Sequence, residues 1–165
     1  MRLFIAALPD AKLTKSLVGA MHDLKLAGVG GTYSSSANLH MTLSFIGELP
    51  DARPVKEAME KLSVERFSIS LDGSGNFGSL LYAAVKGNQK MKMAAKAIRA
   101  QLTADKIPFS KESFEPHFTL IRNASRVPKF PVGKAEMEVR RISLMRSDTK
   151  DGKTSYREIF SIPCK

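Results

Sequence analysis

Tryptophan is missing from the 165 residues, cysteine occurs once, and histidine occurs three times. No apolar run approaches the roughly 18–20 residues that a bilayer-spanning helix needs, which argues against a helical membrane protein. The single cysteine, Cys164, has no partner for an internal disulfide. A disulfide-stapled secreted scaffold is thereby excluded, and a reducing cytoplasm is the expected compartment. Nothing beside Cys164 marks it as a nucleophile. The start, Met1 to Leu8, carries one basic residue and a short apolar stretch that Pro9-Asp10 ends. It reads as a core strand rather than a signal peptide. Acidic residues are also scarce: 16 against 26 basic ones, a formal net charge of +10. Such a surplus attracts polyanions such as RNA, DNA or an anionic membrane surface. It speaks to partner class and not to reaction. The basic residues are spread along the chain rather than gathered in a tail.

What remains is an ordinary globular composition, 43% hydrophobic and 25% charged, of a length for one domain or two small lobes sharing a core. Residues 2–8 predict a buried strand. Asp10 predicts a cap for a helix over 11–25, with Leu13, Leu17, Met21 and Leu24 as its apolar stripe. His22 lies beside that stripe as an ordinary helix histidine. A polar Gly/Ser-rich loop is expected over 28–37 and a strand over 38–47. Asp51 or a neighbour is expected to cap a short helix carrying Val55, Met59 and Leu62. Strands follow around Phe67–Leu71 and Leu80–Val85. Asn88 opens a helix with Met91, Ala94, Ala95, Ile98 and Leu102 on one face. Strands over 116–122, 136–145 and 154–161 finish the chain, with a turn over 148–153 and a bulge suspected between Val139 and Ile142. The run Gly73-Ser74-Gly75-Asn76-Phe77-Gly78 fits the G-x-G-x-x-G pattern, but the next segment is strand-like. A dinucleotide site needs a helix to begin there, so the run reads as a strand-to-strand turn.

Two of the three histidines open the same tetrad, His40-Met41-Thr42-Leu43 and His117-Phe118-Thr119-Leu120. Seven threonines and sixteen leucines in the chain make that coincidence rare. On a strand, residues i and i+2 share a face. His40 and Thr42 then face one way and Met41 and Leu43 the other, with the same division in the second tetrad. Two imidazoles that titrate near neutrality, two hydroxyls and a nearby cation, Arg122, are the minimum kit for splitting a phosphodiester by general acid–base chemistry. Each histidine also follows a helix start by nearly the same interval, 11 to 40 and 89 to 117. A duplicated unit would bring the tetrads face to face across a cleft. No His/Cys/acid cluster has metal-ligand spacing, so no metal is expected.

Asn38 through Glu48 and Pro116 through Arg122 closely resemble the two signatures of the two-histidine phosphoesterases. With Met1 to Ala6 and Leu144 to Tyr156, the chain is similar over nearly its whole length to the RNA 2′,3′-cyclic phosphodiesterases, also called the 2′-5′ RNA ligase family. The resemblance implies a bilobal α+β fold over residues 1–165, with two pseudo-symmetric antiparallel sheets flanked by helices around a central cleft. It implies opening of a 2′,3′-cyclic phosphate at an RNA end to a 2′-phosphomonoester, without metal or cofactor. His40 would protonate the departing O3′ and His117 would activate water; Thr42, Thr119 and Arg122 would hold the phosphate. The near-symmetry of the tetrads leaves the acid and base roles interchangeable on sequence grounds. RNA is the implied partner, with no membrane and no obligate protein partner. The family's tryptophans are replaced here, with Thr32-Tyr33 and Leu80-Leu81-Tyr82 in their regions. Two alternatives stand beside this reading: a phosphodiesterase for another 2′,5′-linked or cyclic nucleotide, and a non-catalytic RNA-binding module.

Overall fold

A computed structural model describes residues 1–165. In chain order the elements are β1 (Arg2–Ala7), α1 (Ala11–Leu26), β2 (Thr32–Tyr33), β3 (Met41–Glu48), α2 (Arg53–Glu60), β4 (Phe67–Phe77), β5 (Leu80–Gly87), α3 (Gln89–Ala104), β6 (His117–Arg122), β7 (Glu136–Val139), β8 (Arg141–Lys150) and β9 (Lys153–Pro163). They form two antiparallel sheets, ordered β3-β1-β8-β9 and β2-β6-β5-β4-β7. No helix is long and apolar enough to cross a membrane.

The repeat expected from the helix-to-histidine interval is visible in the ladders. In the first sheet β1 and β3 are antiparallel neighbours joined through α1; in the second, β5 and β6 are antiparallel neighbours joined through α3. Each pair has one further strand beside it, β8 next to β1 and β4 next to β5, and then an outer one, β9 and β7. The helices tie the halves together. α1 follows a strand of the first sheet but packs on β6 and β7 of the second, while α3 reaches β3. A single cluster of 38 buried apolar residues therefore draws on both sheets.

The caps follow local chemistry. Asp10 accepts from the Leu13 amide at 2.9 Å, and Asn88 accepts from the Met91 amide at 3.3 Å, each satisfying a helix-start donor. The apolar stripes of α1 and α3 are buried as their periodicity requires. Asp51, by contrast, stands one residue ahead of the α2 cap, which is Ala52; its carboxylate accepts from the Arg53 amide at 3.0 Å.

Other boundaries differ from expectation for identifiable reasons. The strand expected over 38–47 begins only at Met41, because Ser36–Asn38 form a 3₁₀ turn. The 28–37 loop contains β2, which pairs with β6. The glycine run is mostly strand: β4 continues to Phe77, and the reversal is made at Gly78-Ser79, with Gly78 at φ +57°. The parity shift between Val139 and Ile142 is no bulge. The chain changes sheets there, so β7 and β8 bury opposite sets of residues. The final hairpin turns on Asp151-Gly152 alone, at φ +53° and +76°, the left-handed pair that a two-residue reversal requires.

Replacing Asp10 with Ala is expected to lower stability by about 1 kcal/mol, the usual weight of an N-cap. Urea unfolding should show the midpoint falling with the slope unchanged; an unmoved midpoint would mean solvent replaces the cap without loss.

Candidate active site

Both tetrads have the alternation that strand geometry demands. Met41, Leu43, Phe118 and Leu120 are buried, while His40, Thr42, His117 and Thr119 are half-buried on the other side. In β3 the register against β1 slips between Thr42 and Ser44, so Leu43 is an extra residue. The slip turns Phe45 outward, where it is 48% exposed.

The two imidazoles are held by one device. Nδ1 of His40 donates to the Asn38 carbonyl at 2.8 Å, and Nδ1 of His117 donates to the Glu115 carbonyl at 2.6 Å. A carbonyl can only accept, so each Nδ1 keeps its proton. Nε2 is left as the nitrogen that gains or loses one. Each ring is also flanked by a Phe–Tyr pair. His40 lies 4.7 Å from Phe4 and 4.9 Å from Tyr156; His117 lies 5.1 Å from Phe77 and 5.2 Å from Tyr82, centroid to centroid. In each half one aromatic comes from the strand beside the histidine's, β1 or β5.

Three neighbouring cavities connect the tetrads crosswise. One of about 460 Å³ is lined by His117 together with Thr42 of the other tetrad, and by Phe45, Phe77 and Arg99. A second, of about 560 Å³, is lined by His40 with Arg122 of the other half. A third, of about 600 Å³, has His40, Thr119 and Arg122 on its wall. The structure thus brings together all five residues singled out in the sequence. Arg122 is exposed at the end of β6. Burial pushes the His40 pKa below the ordinary histidine value; the bond to Asn38 opposes this, and the charges of Arg122 and His117 add to it. Burial likewise pushes the Cys164 thiol up, which disfavours a reactive thiolate.

Several residues named in the sequence have supporting roles that the sequence did not reveal. Asn38 sends its Nδ2 to the Thr154 carbonyl at 2.8 Å and accepts the Tyr156 amide on Oδ1 at 3.2 Å. The residue that orients His40 therefore also ties down the β9 strand carrying Tyr156. Gly75 faces Tyr82 across the β4–β5 ladder, and a Cβ there would sit 2.5 Å from the Tyr82 ring. The glycine run that resembled a nucleotide loop leaves room for the tyrosine that packs on His117. Phe4 and Phe77 looked like core and turn residues. Only the strand pairing brings them to the histidines.

Two facing antiparallel sheets, each offering a His-x-Thr pair to shared cavities, place the molecule among the two-histidine phosphoesterase folds. More narrowly, the chain belongs to the 2′-5′ RNA ligase superfamily, whose sequence profile matches residues 15–151. It is similar to an RNA 2′,3′-cyclic phosphodiesterase of Archaeoglobus fulgidus, 29% identical over 164 residues, with 89% of this chain and 91% of the relative covered. A Thermotoga maritima protein of the same name is 28% identical over 132 residues, covering 74% of this chain and 70% of that one. The crystal structure of E. coli LigT in its apo form has the same fold, with a TM-score of 0.87, 22% identity, and 99% and 96% of the two chains covered.

Gly75→Ala is expected to push Tyr82 off His117. NMR should report changed His117 ring shifts in a chain that still folds; unchanged shifts would mean that Tyr82 does not constrain the imidazole.

Proposed function

We propose that this chain is an RNA 2′,3′-cyclic phosphodiesterase, working as one bilobal unit over residues 1–165 in the cytoplasm, with no obligate protein partner. The observation that carries the reading is the matched pair of imidazoles. Each is fixed through Nδ1 with Nε2 free, and each lines a cavity shared with the opposite tetrad. Relatives of that name and the net charge of +10 support an RNA substrate.

The cyclic phosphate sits between the tetrads. His117 Nε2 takes a proton from water as the water oxygen bonds to phosphorus. The P–O3′ bond breaks, and O3′ receives the proton from His40 Nε2. The products are a 2′-phosphomonoester and a free 3′-hydroxyl; proton exchange with solvent resets both rings. Thr42, Thr119 and Arg122 hold the non-bridging oxygens and stabilise charge as it builds. The low pKa of His40 suits the acid role. In the free enzyme the neutral ring is favoured, a bound phosphate anion favours its protonation, and the protonated ring is then a strong donor. The mechanism routes no step through a metal or cofactor.

A short RNA with a 2′,3′-cyclic end, incubated in EDTA, is expected to yield the 2′-phosphate. His40→Ala and His117→Ala should each lower kcat about 10²- to 10⁴-fold while RNA binding persists. Undiminished turnover in either variant would end the mechanism. Binding without turnover by the unmodified protein would favour a binding module.

The pH profile of kcat/KM is expected to be bell-shaped. The limb that reports His40 should lie below the ordinary histidine value of about 6.5. Arg122→Gln removes a charge that lowers the His40 pKa, so this limb should move to higher pH as kcat/KM falls. A profile in which neither limb moves in Arg122→Gln would mean that the Arg122 charge does not reach His40.

A further inference from the structure

We propose that Arg2 forms a second anion site, which seats the internucleotide phosphate preceding the cyclic end. The inference rests on the phosphodiesterase reading above and extends it to how the RNA chain leaves the cleft. In that reaction the departing O3′ stays on the terminal ribose and takes its proton from His40. The terminal ribose therefore lies on the His40 side, and the chain continues from its O5′ into a compartment that His40 lines. The cavity of about 560 Å³ is such a compartment, and beyond His40 and Arg122 its wall carries Arg2, Ser147, Thr149 and Thr154.

Strand register puts Arg2 on the correct face. Arg2 is opposite Ser147, which is opposite Tyr156, and residues opposed across a ladder share a face. Tyr156 packs on His40, so Arg2 belongs to the surface that flanks the reacting group. Its guanidinium is exposed and forms no ion pair. Its other lateral neighbour, Glu48, is engaged by the N-terminal ammonium at 3.2 Å. An unpaired guanidinium is the side chain best shaped for a phosphate. Glu112 is the carboxylate on this wall, and Arg2 and Arg122 outweigh it. Thr149 and Thr154 lie 3.3 Å apart, hydroxyl to hydroxyl, and each keeps further hydrogen-bonding capacity toward a phosphate or ribose oxygen.

Three substrates test this: a nucleoside 2′,3′-cyclic phosphate, the same compound with a 5′-phosphate, and a dinucleotide with a 2′,3′-cyclic end. In the unmodified protein kcat/KM is expected to rise about tenfold from the first to the other two, the weight of one charge-assisted hydrogen bond. Arg2→Gln should shrink that preference to about twofold, and Arg2→Lys should retain part of it. The dependence of log KM on log salt for the dinucleotide should flatten by about 0.7 in Arg2→Gln, the value for one phosphate no longer neutralised. Thr149→Val, a shape-conserving change, should lower the same preference should Arg2→Gln fail to fold. An equal loss on all three substrates, or a preference that survives Arg2→Gln, overturns the assignment. Failure of the unmodified protein to turn over any of the three refutes the phosphodiesterase reading instead.

Discussion

A hydrogen bond from each Nδ1–H to the carbonyl two residues upstream governs the candidate site, because it decides which nitrogen of each ring is left free to exchange a proton. Without it, a strand histidine could present either tautomer and swing about two torsions. With it, Nε2 is the only nitrogen whose protonation changes. The acceptors are backbone atoms, so no other ionisable group need be in a given state for the rings to stay aimed. The carbonyls are available because each tetrad begins where its strand begins. Asn38 ends a 3₁₀ turn and Glu115 lies in the loop before β6, so neither carbonyl is taken by a ladder.

The constraint is duplicated because the fold is. A strand, a returning helix and an antiparallel partner strand occur twice; α1 crosses over to pack on the opposite sheet, and α3 lies against strands of both. The lobes cannot separate without exposing the common core. That shared core fixes the cleft width, and with it the meeting of Thr42 with His117 and of Thr119 with His40 around common cavities. Placing the four candidate side chains at strand starts over a buried layer gives a rigidity that loops would not supply.

The sequence shows much of this because two strong signals coincide in it. Period-two alternation separates Met41 and Leu43 from His40 and Thr42, and helical spacing places both long helices and their caps at Asp10 and Asn88. What it hides depends on pairing. A parity change looks the same whether it comes from a bulge or a change of sheet, which is why Val139–Ile142 misleads while the slips at Leu43 and Ile46 pass unnoticed. The Phe–Tyr pairs are invisible for the same reason: Phe4, Tyr82, Phe77 and Tyr156 are far from the histidines in sequence and reach them only through register. Gly75 is legible only afterwards, as the residue whose missing side chain admits Tyr82.

A symmetric pair of imidazoles cannot by itself assign one proton donor and one acceptor; something must break the symmetry. Arg122 lies five residues past His117, at the end of β6. Five residues past His40 stands Phe45, an uncharged ring turned outward by the β3 slip. The second half thus sends a guanidinium toward the first half's histidine, and the first half returns an aromatic face. Burial and that guanidinium both favour the neutral form of His40 until an anion arrives. Under the proposed function, a phosphate bound in the cleft would offset the Arg122 charge and couple protonation of His40 to occupancy. In the proposed mechanism, the difference between Phe45 and Arg122 is what gives a duplicated fold the two unlike partners that the reaction needs.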